Sequence, residues 1–239
     1  MVGAERRDRH QHHLLRWRGG WARLGPWRGD DSTAFLSVGA QRPPDADLVD
    51  RALRILDDEG YVAVLTNALA PGDALPFVDA GFTVRQRLHL LAHDMSELPR
   101  ADRPTRRAQR GDRAAVLAVD GEAFDTFWHF DDAGLDDALR ATPVSRFRVG
   151  GDDGRVLAYA ISGRAGPQGY LQRVAVHPDA RRRGFGRSVV ADGLHWLQRH
   201  RVERALVNTQ LGNGAALDLY RSCGFEQLPV GLCVMGRSL

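Results

Sequence analysis

The sequence predicts an α/β (α+β) fold in which a mixed sheet is flanked by helices. Three observations carry this expectation. Residues 170–201 read as a strand, a glycine-bearing loop and a helix; strands and helices alternate through most of the chain; and the order of elements from Phe35 to Phe82 recurs up to Phe225, at a constant offset from Gly60 to Phe82.

Taken in order, residues 1 to about 16 mix Arg, His and Asp without a period and read as a solvated tail. His10, His12 and His13 lack the carboxylate or cysteine that would complete a site, so no metal is expected. Trp17, Trp21 and Trp27 stand among glycines and are expected to pack on a first strand or hairpin. A strand at Ala34 to Val38 and a Pro43-Pro44 break come next. A helix from about Asp47 to Glu59 places Leu48, Ala52, Ile55 and Leu56 on one face and is ended by Gly60. A strand at Tyr61 to Thr66, a short helix around Ala74 to Ala80, Gly81-Phe82 and a strand to about Ala92 complete this half.

Ser96 to Arg106, with Pro99, Pro104 and no apolar period, reads as a connecting stretch. The expected division is 1–98, a linker at 99–106, and a second domain at 107–239. That domain begins with a short strand near Arg107 and a helix from Asp112 to about Phe124, with Asp112 as its N-cap. FDTFWHFDDAG, a helix from Leu135 to Ala141, and the strands RFRVG and RVLAYAIS lead to the strand at Tyr170.

Composition sets bounds on function. The 239 residues are 43% hydrophobic and 26% charged, as in ordinary globular proteins. No apolar run approaches the ~20 residues that cross a membrane, and the basic N-terminus lacks a signal-like apolar segment, so the expected location is cytoplasmic. Cys223 and Cys233 are expected as free thiols. All 33 basic side chains are arginine, which excludes Schiff-base chemistry by this chain. A net charge of +3 suits an anionic cofactor or nucleic acid and by itself selects neither.

The chemistry gathers in VAVHPDARRRGFGRSVV, Val174 to Val190. Gly184 and Gly186 let successive backbone amides converge on an oxygen-rich group, and the helix that opens there adds its unpaired donors. Arg181, Arg182, Arg183 and Arg187 surround this turn, while Gly186, Val189, Val190, Gly193, Leu194 and Leu197 form one helical face. A second motif follows: Asn213-x-x-Ala216-x-x-Leu219-Tyr220-x-x-x-Gly224-Phe225.

Together these motifs resemble the GNAT superfamily of N-acetyltransferases, from about Arg107 onward. The resemblance implies a mostly antiparallel mixed sheet flanked by helices, and the internal repeat implies two copies of which the first is incomplete. It implies acetyl-CoA as cosubstrate, with cofactor contacts at Val174, Ala175, Val176, Arg181, Arg182, Arg183, Gly184, Phe185, Gly186, Arg187, Ser188 and Asn213. The strand Leu171 to Val176 is then splayed from its neighbour, and Tyr220 is the acid beside the coenzyme sulfur. An unperturbed phenol at about 10 and a thiol at about 8.5 make that transfer uphill, so it needs a lowered phenol pKa or a hydrogen bond that does most of the work.

No base stands near Tyr170. Glu122, Asp125, His129, Asp131 and Asp132, in or beside the loop that borders the acceptor in the family, or a water held by the backbone, are the candidates for the base, and Phe127, Trp128 and Phe130 for the wall of the amine site. Cys223 has no nearby histidine to activate it and is not expected to carry the acetyl group.

The implied activity is direct attack of a primary amine on acetyl-CoA in a ternary complex, the acceptor being a small molecule or a peptide N-terminus. The tandem arrangement resembles that of mycothiol synthase, which acts on a small sugar-linked amine. The alternative is a non-catalytic acyl-CoA-binding regulatory module. Nucleic-acid binding through arginine is the least favoured reading, no membrane is expected, and a homo-oligomer is compatible with the sequence. In the first half, GAQRPPDA replaces the glycine and arginine turn and Phe77 stands where Tyr220 stands, so one site is expected.

Overall fold

The computed structural model describes residues 12–28, 30–40 and 42–239. The chain forms two compact units, one made of residues up to Leu88 together with Val230–Leu239, the other of His89–Pro229. The boundary thus falls earlier than the expected linker, and the last strand, expected in the second domain, belongs to the first unit. His10 of the N-terminal histidine cluster lies outside the described residues.

The first unit opens with three antiparallel strands, β1 (His13–Trp17), β2 (Gly20–Trp27) and β3 (Asp30–Ala40). The three tryptophans therefore lie on a hairpin. Helix α1 (Ala46–Asp58) then leads to β4 (Ala63–Thr66), which pairs parallel with β3. Helix α2 (Pro71–Asp79) precedes β5 (Thr83–His93). Between β4 and the first part of β5 lies β12 (Leu232–Ser238), antiparallel to both. Leu24, Leu36, Leu56 and Phe77 are fully buried in this unit's core, each contributing on the order of 1.5–3 kcal/mol by burial.

The second unit runs β6 (Thr105–Arg107), α3 (Arg113–Ala123), α4 (Asp132–Arg140), β7 (Val144–Asp152), β8 (Arg155–Ala165), β9 (Gln168–Val176), α5 (Phe185–Arg199), β10 (Arg204–Gln210), α6 (Gly214–Ser222) and the short β11 (Glu226–Gln227). Strands β6 to β9 pair antiparallel in order, β9 and β10 pair parallel, and β11 lies on the end of β5. The fold is thus a mixed, mostly antiparallel sheet flanked by helices.

Local chemistry explains two departures from expectation. Asp112 stands at the N-cap of α3 as expected, but its carboxylate makes no capping bond there; it takes the Gln109 N–H at 2.7 Å and pairs with Arg106, closing a short 3-10 turn ahead of the helix. The stretch expected as a linker is anchored, because the backbone N–H groups of Asp102 and Arg103 donate to Ser188 Oγ at 3.0 and 2.8 Å. Among the described residues no helix is long and apolar enough to cross a membrane.

Candidate active site

Strand pairing opens the site. Strands β9 and β10 pair only at Gln168, Gly169 and Tyr170, opposite Arg204, Ala205 and Leu206, although β9 continues to Val176 and β10 to Gln210. On its other side β9 stays paired with β8 through Val176. Residues 171–176 therefore keep one edge without a strand partner, and an extended chain of amides can add there as another strand would.

The turn after this strand is built for an anion. His177 Nδ1 accepts the Asp179 N–H in a 3-10 turn over Pro178–Ala180, after which Arg182 and Gly184 take positive φ of 62° and 84°. Gly184 is the N-cap of α5 and brings no side chain to cap it, and the first turn holds no acidic residue. The Ser188 N–H donates to Gly184 C=O at 3.1 Å as the first rung of the helix, so the amides ahead of it face outward unpaired. Gly186 allows close approach: a Cβ there would lie 3.1 Å from Leu219 and 3.3 Å from Val176.

Arg181, Arg182 and Arg183 are exposed around this turn. Arg183 is also held by Asp152 at 2.8 Å. Other expected contact residues have different work. The Arg187 guanidinium donates to Ser222 C=O at 2.8 Å and Arg100 C=O at 3.3 Å, which fastens the last turn of α6. The Ser188 hydroxyl is spent on the linker amides and on Gly184 C=O. The Phe185 ring is buried beneath the sheet with Val189, so only its backbone faces the turn. Val174 and Val176 turn their side chains toward α5 and Ala175 turns toward α3, which leaves their backbones to line the open edge.

Helix α6 delivers the tyrosine. Asn213 caps this helix by accepting the Ala216 N–H at 3.1 Å, so it acts on the site through the helix it starts. Tyr220 packs on Phe225 with ring centroids 5.7 Å apart and is 5% exposed. Burial pushes the phenol well above its ordinary pKa, and the positive charge of Arg173 acts against that rise. Cys223 and Cys233 are free and buried, and burial pushes the Cys223 thiol up, away from nucleophilic use.

Of the amine-side candidates, Glu122 lies in the last turn of α3, and Asp125, Phe127, Trp128 and His129 lie on the segment between α3 and α4. Glu122 and Asp125 are exposed, and the Asp125 carboxylate accepts the Trp128 N–H at 3.1 Å. Phe127 is 45% exposed and meets Trp128 edge to face at 4.9 Å, while His129 is partly buried.

Beneath this segment lies a pair that sequence reasoning missed. Asp120, fully buried on α3, accepts from Arg173 Nε at 2.8 Å, Arg173 Nη2 at 2.7 Å, the Phe130 N–H at 2.5 Å and the Tyr159 hydroxyl. A carboxylate on the buried face of α3, beside Val116 and Val119, was the available signal, since such a group requires a buried cation.

Among its described residues the first unit lacks each of these openings. Strands β3 and β4 stay paired through Leu36 and Thr66, after which Asn67 Oδ1 accepts the Val38 N–H at 2.7 Å and Nδ2 donates to Val38 C=O at 3.1 Å. The N-terminus of α1 is filled by its own Asp45 carboxylate, which takes the Leu48 N–H at 2.9 Å, with Asp47 in the same turn. Phe77 is fully buried against Phe82.

Residues 114–225 match the model of the acetyltransferase (GNAT) family. A mycothiol acetyltransferase of Saccharomonospora viridis is 32% identical over 132 residues, which is 48% of this chain and 42% of that protein. The matched stretch thus spans less than half of that relative's length. The [ribosomal protein bS18]-alanine N-acetyltransferase of Escherichia coli strain K12 is 30% identical over 78 residues, 33% of this chain and 53% of the relative. Among solved structures, a tandem GNAT protein from the clavulanic acid biosynthesis pathway superposes with a TM-score of 0.65 at 14% identity, over 92% of this chain and 79% of the other. The likeness to the acetyltransferase (GNAT) family thus falls on residues 114–225, within the second unit.

Proposed function

We propose that this chain transfers the acetyl group of acetyl-CoA to a primary amine, in a ternary complex, at one site in the second unit. The carrying observation is the open edge of β9 running directly into an uncapped, arginine-flanked helix N-terminus. These two features match the two ends of the cosubstrate: a pantetheine arm of amides and a pyrophosphate. Backbone groups of Val174 and Val176 would hold the arm; the α5 amides, with Arg181, Arg182 and Arg183, would hold the phosphates.

The thioester supplies the activated acetyl group. A C–N bond forms as the C–S bond breaks, the amine gives up a proton, and the coenzyme leaves as a thiolate that takes its proton from solvent. The raised pKa of Tyr220 keeps its hydroxyl protonated at every working pH, so it is always a donor. Outright proton loss to a thiol of pKa about 8.5 is strongly uphill, which assigns Tyr220 a hydrogen bond to the departing sulfur. Of the two routes open on sequence grounds, burial favours this one. The amine proton leaves on the α3–α4 side, to Glu122, to His129 or to water.

Relatives point to two acceptor classes, a sugar-linked amine and a peptide N-terminus. Incubation with acetyl-CoA and a panel of both, read by mass spectrometry, tests the proposal. Amine-dependent acetylation is expected. Tight binding of acetyl-CoA with no turnover on any amine would favour the acyl-CoA-binding regulator instead.

A further inference from the structure

We propose that Arg173 is a positioning residue for the acceptor, fixing the segment 124–130 as one wall of the amine site and so setting amine affinity without setting acetyl-CoA affinity. This rests on the acetyl-transfer reading above. Ile161 pairs with Arg173 and Ser162 with Leu171, so Gln172 is an extra residue in β9. Such a bulge disrupts alternation and re-aims the neighbouring side chains. Arg173 is thereby directed at α3, while Leu171 and Val174 pack with α5.

Its guanidinium is a mould for the segment. Nε and Nη2 reach both Asp120 oxygens, and Nη2 also donates to Trp128 C=O at 2.7 Å. The rings of Phe124 and Phe130 lie 3.4 and 3.9 Å from its central carbon. Asp120 in turn accepts the Phe130 N–H, so the pair grips both ends of the segment by ring and backbone. What the segment turns outward is Phe127, with Trp128 and His129 partly exposed. Because Arg173 sits in the strand that presents the open edge, the acceptor wall and the cofactor edge are indexed to one rigid element. A lysine would keep the charge at Asp120 but could neither fork to two oxygens and a carbonyl nor offer a planar cation to the rings of Phe124 and Phe130.

The test uses the full chain carrying Arg173→Lys and, separately, the charge-free pair Asp120→Asn with Arg173→Gln. Steady-state kinetics would use the panel amine that the wild type acetylates fastest. We expect the amine KM to rise about tenfold or more, with kcat reduced less and acetyl-CoA Kd within about twofold. Chymotrypsin should cut after Phe127 or Trp128 faster in the variants than in the wild type, a readout independent of turnover. An unchanged amine KM, a parallel loss of acetyl-CoA affinity, a wild-type segment cut as fast as the variants, or failure of both variants to fold would each overturn the proposal. If the wild type acetylates no amine, the functional reading fails, and the proteolysis alone decides whether Arg173 holds the segment.

Discussion

The side chain of Asn67 meets both backbone groups of Val38, its Oδ1 accepting the N–H at 2.7 Å and its Nδ2 donating to the C=O at 3.1 Å. A carboxamide thus does in the first unit what a further strand residue would do, closing the gap that β9 and β10 leave open in the second. With the Asp45 carboxylate on α1, the first unit satisfies internally the groups that an acyl-CoA would need.

Removing that bridge exposes its worth. Asn67→Ala leaves two partly buried backbone groups of Val38 without partners, and urea denaturation should show a loss of about 1–3 kcal/mol. The acetylation rate should not change.

Tyr220→Phe removes the donor but keeps the ring that packs on Phe225. The rate kcat should fall about a hundredfold or more, while acetyl-CoA Kd stays within about twofold. Stopped-flow detection of released thiol gives the first quantity and calorimetry the second. An unchanged kcat would remove Tyr220 from the chemistry.

Stability should depend on pH through His93. Burial holds this imidazole below its ordinary pKa against the pull of Asp94, its Nδ1 accepts the Met95 N–H at 2.9 Å, and it lies edge-on to Phe225. The unfolded chain therefore binds a proton that the folded one refuses. Stability from this group is fully present above the unfolded value of 6.5 and is lost as pH falls below it toward the folded value. Its slope there is at most about 1.4 kcal/mol per pH unit. Thermal melts of the wild type and His93→Asn between pH 8 and pH 5 check this; the variant's slope should be shallower whatever its absolute Tm.

The phosphate turn was legible because its demands are local. Only glycine accepts φ of 84° without strain at residue 184, and an uncapped helix start with arginines beside it is visible in consecutive letters. The splayed strand was reached through the family resemblance and is present in the pairing. Asp120 with Arg173 was not legible, because a bulge at Gln172 decides which way Arg173 faces, and bulges leave little trace in one sequence. Nor was the destination of β12, whose partners β4 and β5 lie far back in the chain. Arg187 and Ser188 stand in the phosphate motif by position, yet their side chains reach carbonyls and amides of Arg100, Asp102, Arg103 and Ser222, contacts that exist only once the chain has folded back.

The central claim is a single acetyl-CoA site whose phosphate end is the Gly184 turn. Isothermal titration calorimetry on the full chain tests it most directly, with Gly184→Val beside the wild type. A side chain at residue 184 would be strained at its φ of 84° and would press on Asp102, whose Cβ lies 2.9 Å from the position of an added Cβ. The expected result is one acetyl-CoA per wild-type chain and affinity weakened about a hundredfold or more in a Gly184→Val protein that still folds, as expected when a preorganised anion nest is lost. Two bound equivalents, or one bound with undiminished affinity in the variant, would contradict it.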